Sequence, residues 1–239
     1  MPLAKFISRA GVCSRRKAVE KVRKDLVFIN GYVCSNPAQH VCETDEISCG
    51  GKTLKLPGKK HYILLNKPSG YLTAASNEFG KKTVMELVKG VCNDRIYPVG
   101  RLDCMTTGLL LFTNDGDLTQ RLTHPSFNIP KIYEATLNKQ FSLRHMKMLS
   151  KGLQLDDGPI RVDKAFYPVM DEFNKVSVEI HSGRYRIVRR IFECLGYKVK
   201  ALDRVGYAGF KKDDLKIGEF RVMDGDCVNT FKESSFTST

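Results

Sequence analysis

The chain has 239 residues, 42% of them hydrophobic, with 39 Lys and Arg against 26 Asp and Glu and a formal net charge of +13. At about 150 residues per domain, this length suits one large domain or a small one beside a larger one, with enough buried surface to fold without staples. The hydrophobic content excludes a disordered chain, no apolar run reaches the roughly 18 residues of a spanning helix, and the start MPLAKFISRAG lacks the apolar stretch of a signal peptide. The expectation is a soluble cytoplasmic protein with no membrane partner, whose excess charge asks for an acidic one.

That charge is uneven. Residues 1–60 hold 12 Lys and Arg and 5 Asp and Glu, a net +7, whereas residues 61–239 hold 27 and 21, a net +6 over three times the length. Such a split suggests an electrostatic docking module over residues 1–58 joined to a body over 61–230, with a polar tail at 231–239. Pro57 and Gly58 in LPGKKH (56–61) interrupt any regular element and mark the joint.

In the module, Leu3, Phe6, Ile7 and Ala10 recur at helical spacing, and Gly11 suits the stop. Ser14 can cap a second helix with Ala18, Val19 and Val22 facing inward. Arg15, Arg16, Lys17, Lys21, Arg23 and Lys24 are then left on its outside. Asn30-Gly31 between VFI and YVC is a strong hairpin signal. A solvated helix with no partner would also fit, but only Glu20 and Asp25 oppose the basic run, which favours nucleic acid. The series Leu3, Phe6-Ile7, Ala10-Gly11, Ser14-Arg15-Arg16, Ala18, followed by Val27 and Ile29-Asn30-Gly31, resembles the small RNA-binding domain shared by ribosomal protein S-four and several RNA-modifying enzymes. That resemblance implies structured RNA as the partner and leaves the reaction open.

From residue 61 the pattern predicts a strand over 61–65, a helix over 83–89, a buried apolar strand over 108–113 ending in the turn Asn114-Asp115-Gly116, and a strand over 132–137. A helix over 142–150 capped by Ser142 and a half-buried strand over 175–180 follow. These elements fit an α+β fold: a small helix-helix-hairpin domain, then a larger mixed, mostly antiparallel sheet with flanking helices. Cysteines at 13, 34, 42, 49, 92, 104, 194 and 227 include no Cys-x-x-Cys, so reduced thiols and no metal site are expected.

Three constellations could carry chemistry. In Gly100-Arg101-Leu102-Asp103, an extended backbone puts Arg101 and Asp103 on one side, and a carboxylate beside a guanidinium stays ionised, as a nucleophile or base requires. Spacing alone favours an ordinary strand-end ion pair there. Lys131 and Tyr133 share a strand face, and on its own the tyrosine reads as a core-edge residue. Over 183–195, Ile187, Val188, Ile191, Phe192 and Leu195 form an inward helical face, with Ser182-Gly183 opening the helix and Arg184, Arg186, Arg189 and Arg190 gathered where an anion could dock.

In this order, Leu65-Asn66-Lys67-Pro68-x-Gly70, the run from Gly100-Arg101-Leu102-Asp103 through Thr106 and Gly108 to Gly116, Lys131-x-Tyr133, and Gly183-Arg184 with Val188-Arg189-Arg190 closely resemble the RsuA/RluB-type ribosomal RNA pseudouridine synthases. The likeness spans about residues 2–225 and implies isomerisation of a uridine in ribosomal RNA, with no cofactor and base extrusion before chemistry. It makes Asp103 the essential aspartate, Tyr133 the tyrosine packed on the target base, and Arg189 the basic partner of the aspartate. Arg101 would displace the uridine, and Lys67, Lys131, Arg184, Arg190, Arg15, Arg16 and Lys21 would contact RNA. Met105 stands where relatives commonly carry Asp or Asn, and Ile187 where they carry Gln or Glu, which bears on target choice. The stretch 149–159 resembles the large-subunit branch; a small-subunit target or a noncatalytic assembly factor is the alternative. A methyltransferase would need a Gly-x-Gly-x-x-Gly loop that this sequence lacks. A monomer acting on ribosomal RNA or a subunit precursor is expected.

Overall fold

The computed structural model describes residues 1–75, 80–225 and 228; Cys227 and the polar tail over 231–239 lie outside the described residues. The chain divides into two compact units, one of residues 1–60 with 92–96, the other of 61–91 and 97 onward. The first unit thus takes in a short piece that sequence position assigns to the body. Among the described residues, no helix is long and apolar enough to cross a membrane.

In the first unit, α1 (Leu3–Arg9) buries Leu3, Ala4 and Ile7. Gly11 follows at φ 82°, a left-handed residue that ends the helix without a Cβ penalty. Helix α2 (Arg15–Arg23) starts where the Ser14 hydroxyl accepts a hydrogen bond from the Lys17 amide at 3.3 Å, and it buries Ala18 and Val22. Strands β1 (Val27–Ile29) and β2 (Tyr32–Val33) meet at Asn30-Gly31, both with positive φ, the mirror-image turn that suits strand twist. A second hairpin, β3 (Ile47–Cys49) and β4 (Lys52–Thr53), completes the antiparallel order β2-β1-β3-β4. Sequence patterning missed it because its strands are two and three residues long. Leu3, Ile7, Ala18, Val22, Val27 and Ile47 close one core, each large aliphatic contributing about 1.5–3 kcal/mol by burial.

The second unit opens with β5 (Tyr62–Lys67), buried along its length, followed by the single turn α3 (Val84–Leu87), shorter than the expected helix. Then come β6 (Tyr97–Val99), β7 (Thr107–Thr113) and α4 (Gly116–Thr123). The expected turn at 114–116 is the start of α4, whose first amides donate to the buried Asp115 carboxylate. Next are β8 (Lys131–Leu137), α5 (Leu143–Lys151), the hairpin β9 (Leu153–Leu155) and β10 (Gly158–Ile160), and β11 (Lys164–Phe166). The chain then forms β12 (Lys175–Ile180), α6 (Ile187–Cys194), β13 (Val199–Tyr207), β14 (Phe210–Lys211) and β15 (Phe220–Val222).

Among the described residues one large sheet runs β11-β12-β8-β13-β7-β5-β15, with β6 on β7 and β14 on β13. Among the described strands, β7 and β13 are the pair that runs parallel. The fold is α+β, as expected. Its central strand, β13, was not legible: Lys200, Asp203, Arg204 and Gly206 break the alternation, and register slips on either side of 201–204 mark bulges.

The approach of β13 to β7 sets the middle of the sheet. Gly108 has φ 105°, and a Cβ there would press on the Arg204 carbonyl and sit 2.5 Å from both the Arg204 amide nitrogen and Asp203 Oδ1. Backbone and a tethered carboxylate cannot step aside. Gly108→Ala should lower unfolding free energy by about 3 kcal/mol, the sum of overpacking and a disfavoured φ. A shift of the denaturant midpoint at constant slope checks it.

Candidate active site

Asp103 lies on the loop between β6 and β7, and nearly every inward group of that loop is tied down. Leu102 is buried, and the Thr73 hydroxyl both donates to its carbonyl at 2.8 Å and accepts from its amide at 3.2 Å. With Leu102 turned in, its neighbours Arg101 and Asp103 are exposed. The Thr106 amide donates to the Asp103 carbonyl at 3.0 Å, and the Gly70 amide to that of Cys104 at 2.9 Å.

Lys67 closes this arrangement from beneath. Its side chain is fully buried, and Nζ donates to the carbonyls of Pro68 (3.0 Å), Asp103 (3.3 Å), Cys104 (3.0 Å) and Thr106 (2.8 Å). Burial pushes the ammonium down to about 8, opposed by its neighbours Cys104 and Asp103. Lys67 was expected at the substrate. A side chain saturated by four carbonyls has no donor left for RNA, so it holds the Asp103 loop instead.

The Asp103 carboxylate accepts no hydrogen bond among the described residues, and it forms no ion pair with Arg101. An ordinary strand-end pair is therefore not what these two residues make. Besides Lys67, a cation that the Asp103 charge reaches is Arg189 on α6, whose Nη1 donates to the Val199 carbonyl at 2.9 Å. Burial, then the charge of Arg186, lowers the Arg189 pKa, while attraction to Asp103 and Glu193 opposes that shift. Arg189 thus stands within electrostatic reach of a carboxylate that it does not neutralise by contact.

Tyr133 lies half-buried on β8, opposite Val178 of β12 and Arg204 of β13, and packs against the core that includes Ala135, Val178 and Val188. Lys131 shares its face, but Nζ is taken by the carbonyls of Ile129 (2.8 Å) and His181 (3.0 Å). Burial and, less strongly, Arg204 push Lys131 down to about 8. Like Lys67, it is committed to backbone rather than to RNA.

The arginine segment differs from expectation. Helix α6 begins at Ile187, capped by Arg186 in the left-handed region at φ 47°, so Ser182-Gly183 do not open it. The Ser182 hydroxyl accepts from the Arg184 amide at 3.3 Å within the preceding loop. Arg184 donates to Asp157 Oδ1 at 2.9 Å, and Arg190 grips Asp157 at 2.6 and 2.8 Å and also Asp156. The hydrogen bond from Arg190 holds the Asp157 carboxyl below the usual carboxylate range, with the Arg184 charge helping. Of the four arginines, two therefore anchor the turn between β9 and β10, and Arg189 is the one whose charge interacts with Asp103. Of the two departures in sequence, Ile187 is buried among Ile180, Val188 and Ile191, where a polar side chain would need partners, and Met105 is exposed beside Asp103.

In the first unit, Arg15 and Arg16 are exposed and Lys21 is partly so. Arg15 and Arg16 occupy the helix badly for stability: the first turn of α2 carries no acidic residue, and its basic side chains oppose the positive end of the helix dipole, a mismatch of typically about 0.3–1 kcal/mol, whereas Lys21 in the last turn suits it.

Residues 61–194 match the family described as RNA pseudouridylate synthase, and residues 1–47 match the S4 domain. The ribosomal large subunit pseudouridine synthase B of Bacillus subtilis is 38% identical over 225 residues, 92% of this chain and 91% of its own length. The ribosomal small subunit pseudouridine synthase A of Pasteurella multocida is 32% identical over 235 residues, 98% of this chain and all of its own. A crystal structure of a pseudouridylate synthase superposes with a TM-score of 0.68 at 27% identity, covering 97% of this chain and 99% of that one. Fold and matches together define an RNA-modifying isomerase. The chain belongs to the RNA pseudouridine synthase family, in its RsuA/RluB branch, with an S4 domain over its first residues.

Replacing Lys67 tests the loop's dependence on its ammonium. Lys67→Met removes the donor from four buried carbonyls, and at about 1–3 kcal/mol for each group left unsatisfied the loss should reach at least 3 kcal/mol. Chemical unfolding reads this directly. Equal stability would mean that the loop holds its shape without the lysine.

Proposed function

We propose that the protein converts a specific uridine of large-subunit ribosomal RNA to pseudouridine in the cytoplasm, with Asp103 as the essential carboxylate. One observation carries the reading: the backbone carbonyls of the Asp103 loop are held by Lys67 and Thr73, while the Asp103 carboxylate itself is exposed and, among the described residues, unpaired. A structural aspartate would spend its oxygens on the protein. This one is presented for use.

In this scheme the bond between uracil N1 and ribose C1′ breaks with its electron pair passing to the base. The base turns, C5 bonds to C1′, the C5 proton is removed and N1 is protonated. Atoms and electrons balance without oxidant, reductant or cofactor. Asp103 acts at the sugar or base, with Arg189 as the basic residue whose charge interacts with it at a distance. Tyr133 packs on the extruded base, which must leave its stack to be reached, and Arg101 beside the aspartate assists that displacement. A large-subunit target accords with the Bacillus subtilis relative, named for the large subunit and more similar than the small-subunit enzyme above. A noncatalytic assembly factor would have no need of a loop so fully braced around an unpaired carboxylate.

Docking belongs to the S4 domain, where Arg15, Arg16 and Lys21 meet RNA backbone and shape. Substituting Arg15 and Arg16 by Glu should therefore have opposite effects in two assays. Thermal stability rises slightly, because acidic residues now suit the helix end, while RNA binding weakens and its salt dependence flattens. Unchanged affinity at low salt would remove these residues from the interface.

The reaction itself is tested by mapping pseudouridine in ribosomal RNA from cells with and without the gene. One large-subunit position should lose the modification and regain it with the wild-type gene but not with Asp103→Asn. Full rescue by that variant would exclude Asp103, and an unchanged map would exclude the function.

A further inference from the structure

The site residues proposed above leave one large buried charge unused. Arg204, 2% exposed, sits on the central strand β13, its Cα paired with Tyr133 on one side and with Gly108 on the other. Paired residues share a sheet face, so Arg204 lies on the face that carries Tyr133 and Lys131. Its Nε donates to the Leu109 carbonyl at 2.8 Å, its guanidinium carbon stands 4.3 Å from the centre of the Tyr207 ring, and its Nη2 has no partner.

Among the described residues, no carboxylate pairs with this cation. The adjacent Asp203 points to the other face, where it accepts from the Thr107 hydroxyl at 2.9 Å and pairs with Lys212. Tyr207 donates its hydroxyl to the Leu122 carbonyl at 3.1 Å, and burial pushes its pKa up to about 12, so it supplies no charge either. The Arg204 charge reaches Lys131, two residues from Tyr133 along β8. A buried, uncompensated guanidinium with an idle N–H is costly in a resting protein, and such a cost is explained if an anion forms nearby during turnover.

We propose that Arg204 supplies the fixed positive charge that stabilises the uracil as it leaves ribose C1′ carrying the electron pair of the broken N1–C1′ bond. This rests on the reading above, in which the base packs on Tyr133. The negative charge spreads over N1 and the ring carbonyl oxygens, and a cation already in place on the strand beside the tyrosine needs no reorganisation to meet it. When C5 joins C1′ the ring charge is discharged, and Arg204 returns to its resting surroundings unchanged.

Leaving-group sensitivity separates this role from a structural one. A large-subunit ribosomal RNA transcript is prepared with uridine or with 5-fluorouridine, whose uracil is the more stable anion and needs less help to depart. Single-turnover loss of the parent nucleoside is followed for wild type, Arg204→Gln and Arg204→Lys. Arg204→Gln should slow uridine about a hundredfold, the scale of one lost charge-stabilising donor, and 5-fluorouridine by no more than about tenfold. Arg204→Lys, which keeps a charge but shortens its reach, should show the same bias at smaller size and decides the matter alone if the glutamine variant does not fold. Equal losses on both substrates would overturn the role of Arg204 and leave the proposed function standing. No turnover of either transcript by wild type would overturn both.

Discussion

A single ammonium holds the centre of this molecule. Lys67 ends the first strand of the large sheet, and its three protons are shared among four carbonyls drawn from its own turn and from the Asp103 loop. A carboxylate partner would have been the ordinary way to bury a lysine, but it would also have brought a second negative charge against Asp103. Carbonyl dipoles satisfy the donor while leaving the net charge positive. The loop is rigid on its inner side for the same reason that Asp103 is free on its outer side.

The same choice recurs across the sheet. Lys131 is held by two carbonyls and Arg204 by one, again without a carboxylate. Buried cations whose partners are neutral carbonyls accumulate on one face, which becomes a positive platform in a medium where charge is poorly screened. The carboxylates that are present are spent elsewhere: Asp157 and Asp156 on Arg184 and Arg190, Asp203 on Lys212. Structure and reactivity are thus separated by the kind of acceptor each cation receives. The contact of β13 with β7 at Gly108 makes this possible, because only a residue without a side chain lets the strand that bears Arg204 come so near the strand that follows Asp103.

The S4 domain follows a different logic. Its core is small and aliphatic, and its second helix carries basic side chains at the end where the helix dipole disfavours them. Stability argues against that placement, whereas a polyanion argues for it. The two units each have their own hydrophobic core, and the family matches fall on them separately, the S4 domain on the first and the pseudouridylate synthase mostly on the second.

The opening observation was an excess of +13. Sequence alone located over half of that excess in the first 60 residues, identified both helices and the Asn30-Gly31 hairpin of the S4 domain, and singled out Asp103, because periodicity, caps and turn dipeptides are local and motif order survives without coordinates. It also read strands β5 and β7 from their continuous apolar runs, and β8 and β12 from their strand-forming patterns. It could not find β13, where polar residues sit at the centre of the sheet, nor β3 and β4, which are too short for a period. Nor could it say which basic residues meet the substrate and which meet the backbone. Lys67, Lys131, Arg184 and Arg190 were all expected at RNA, yet each is bonded to protein in the folded chain. A side chain's charge is written in the sequence. Its partner is decided by which carbonyls and carboxylates the tertiary fold brings within about 3 Å of it, the reach of a hydrogen bond.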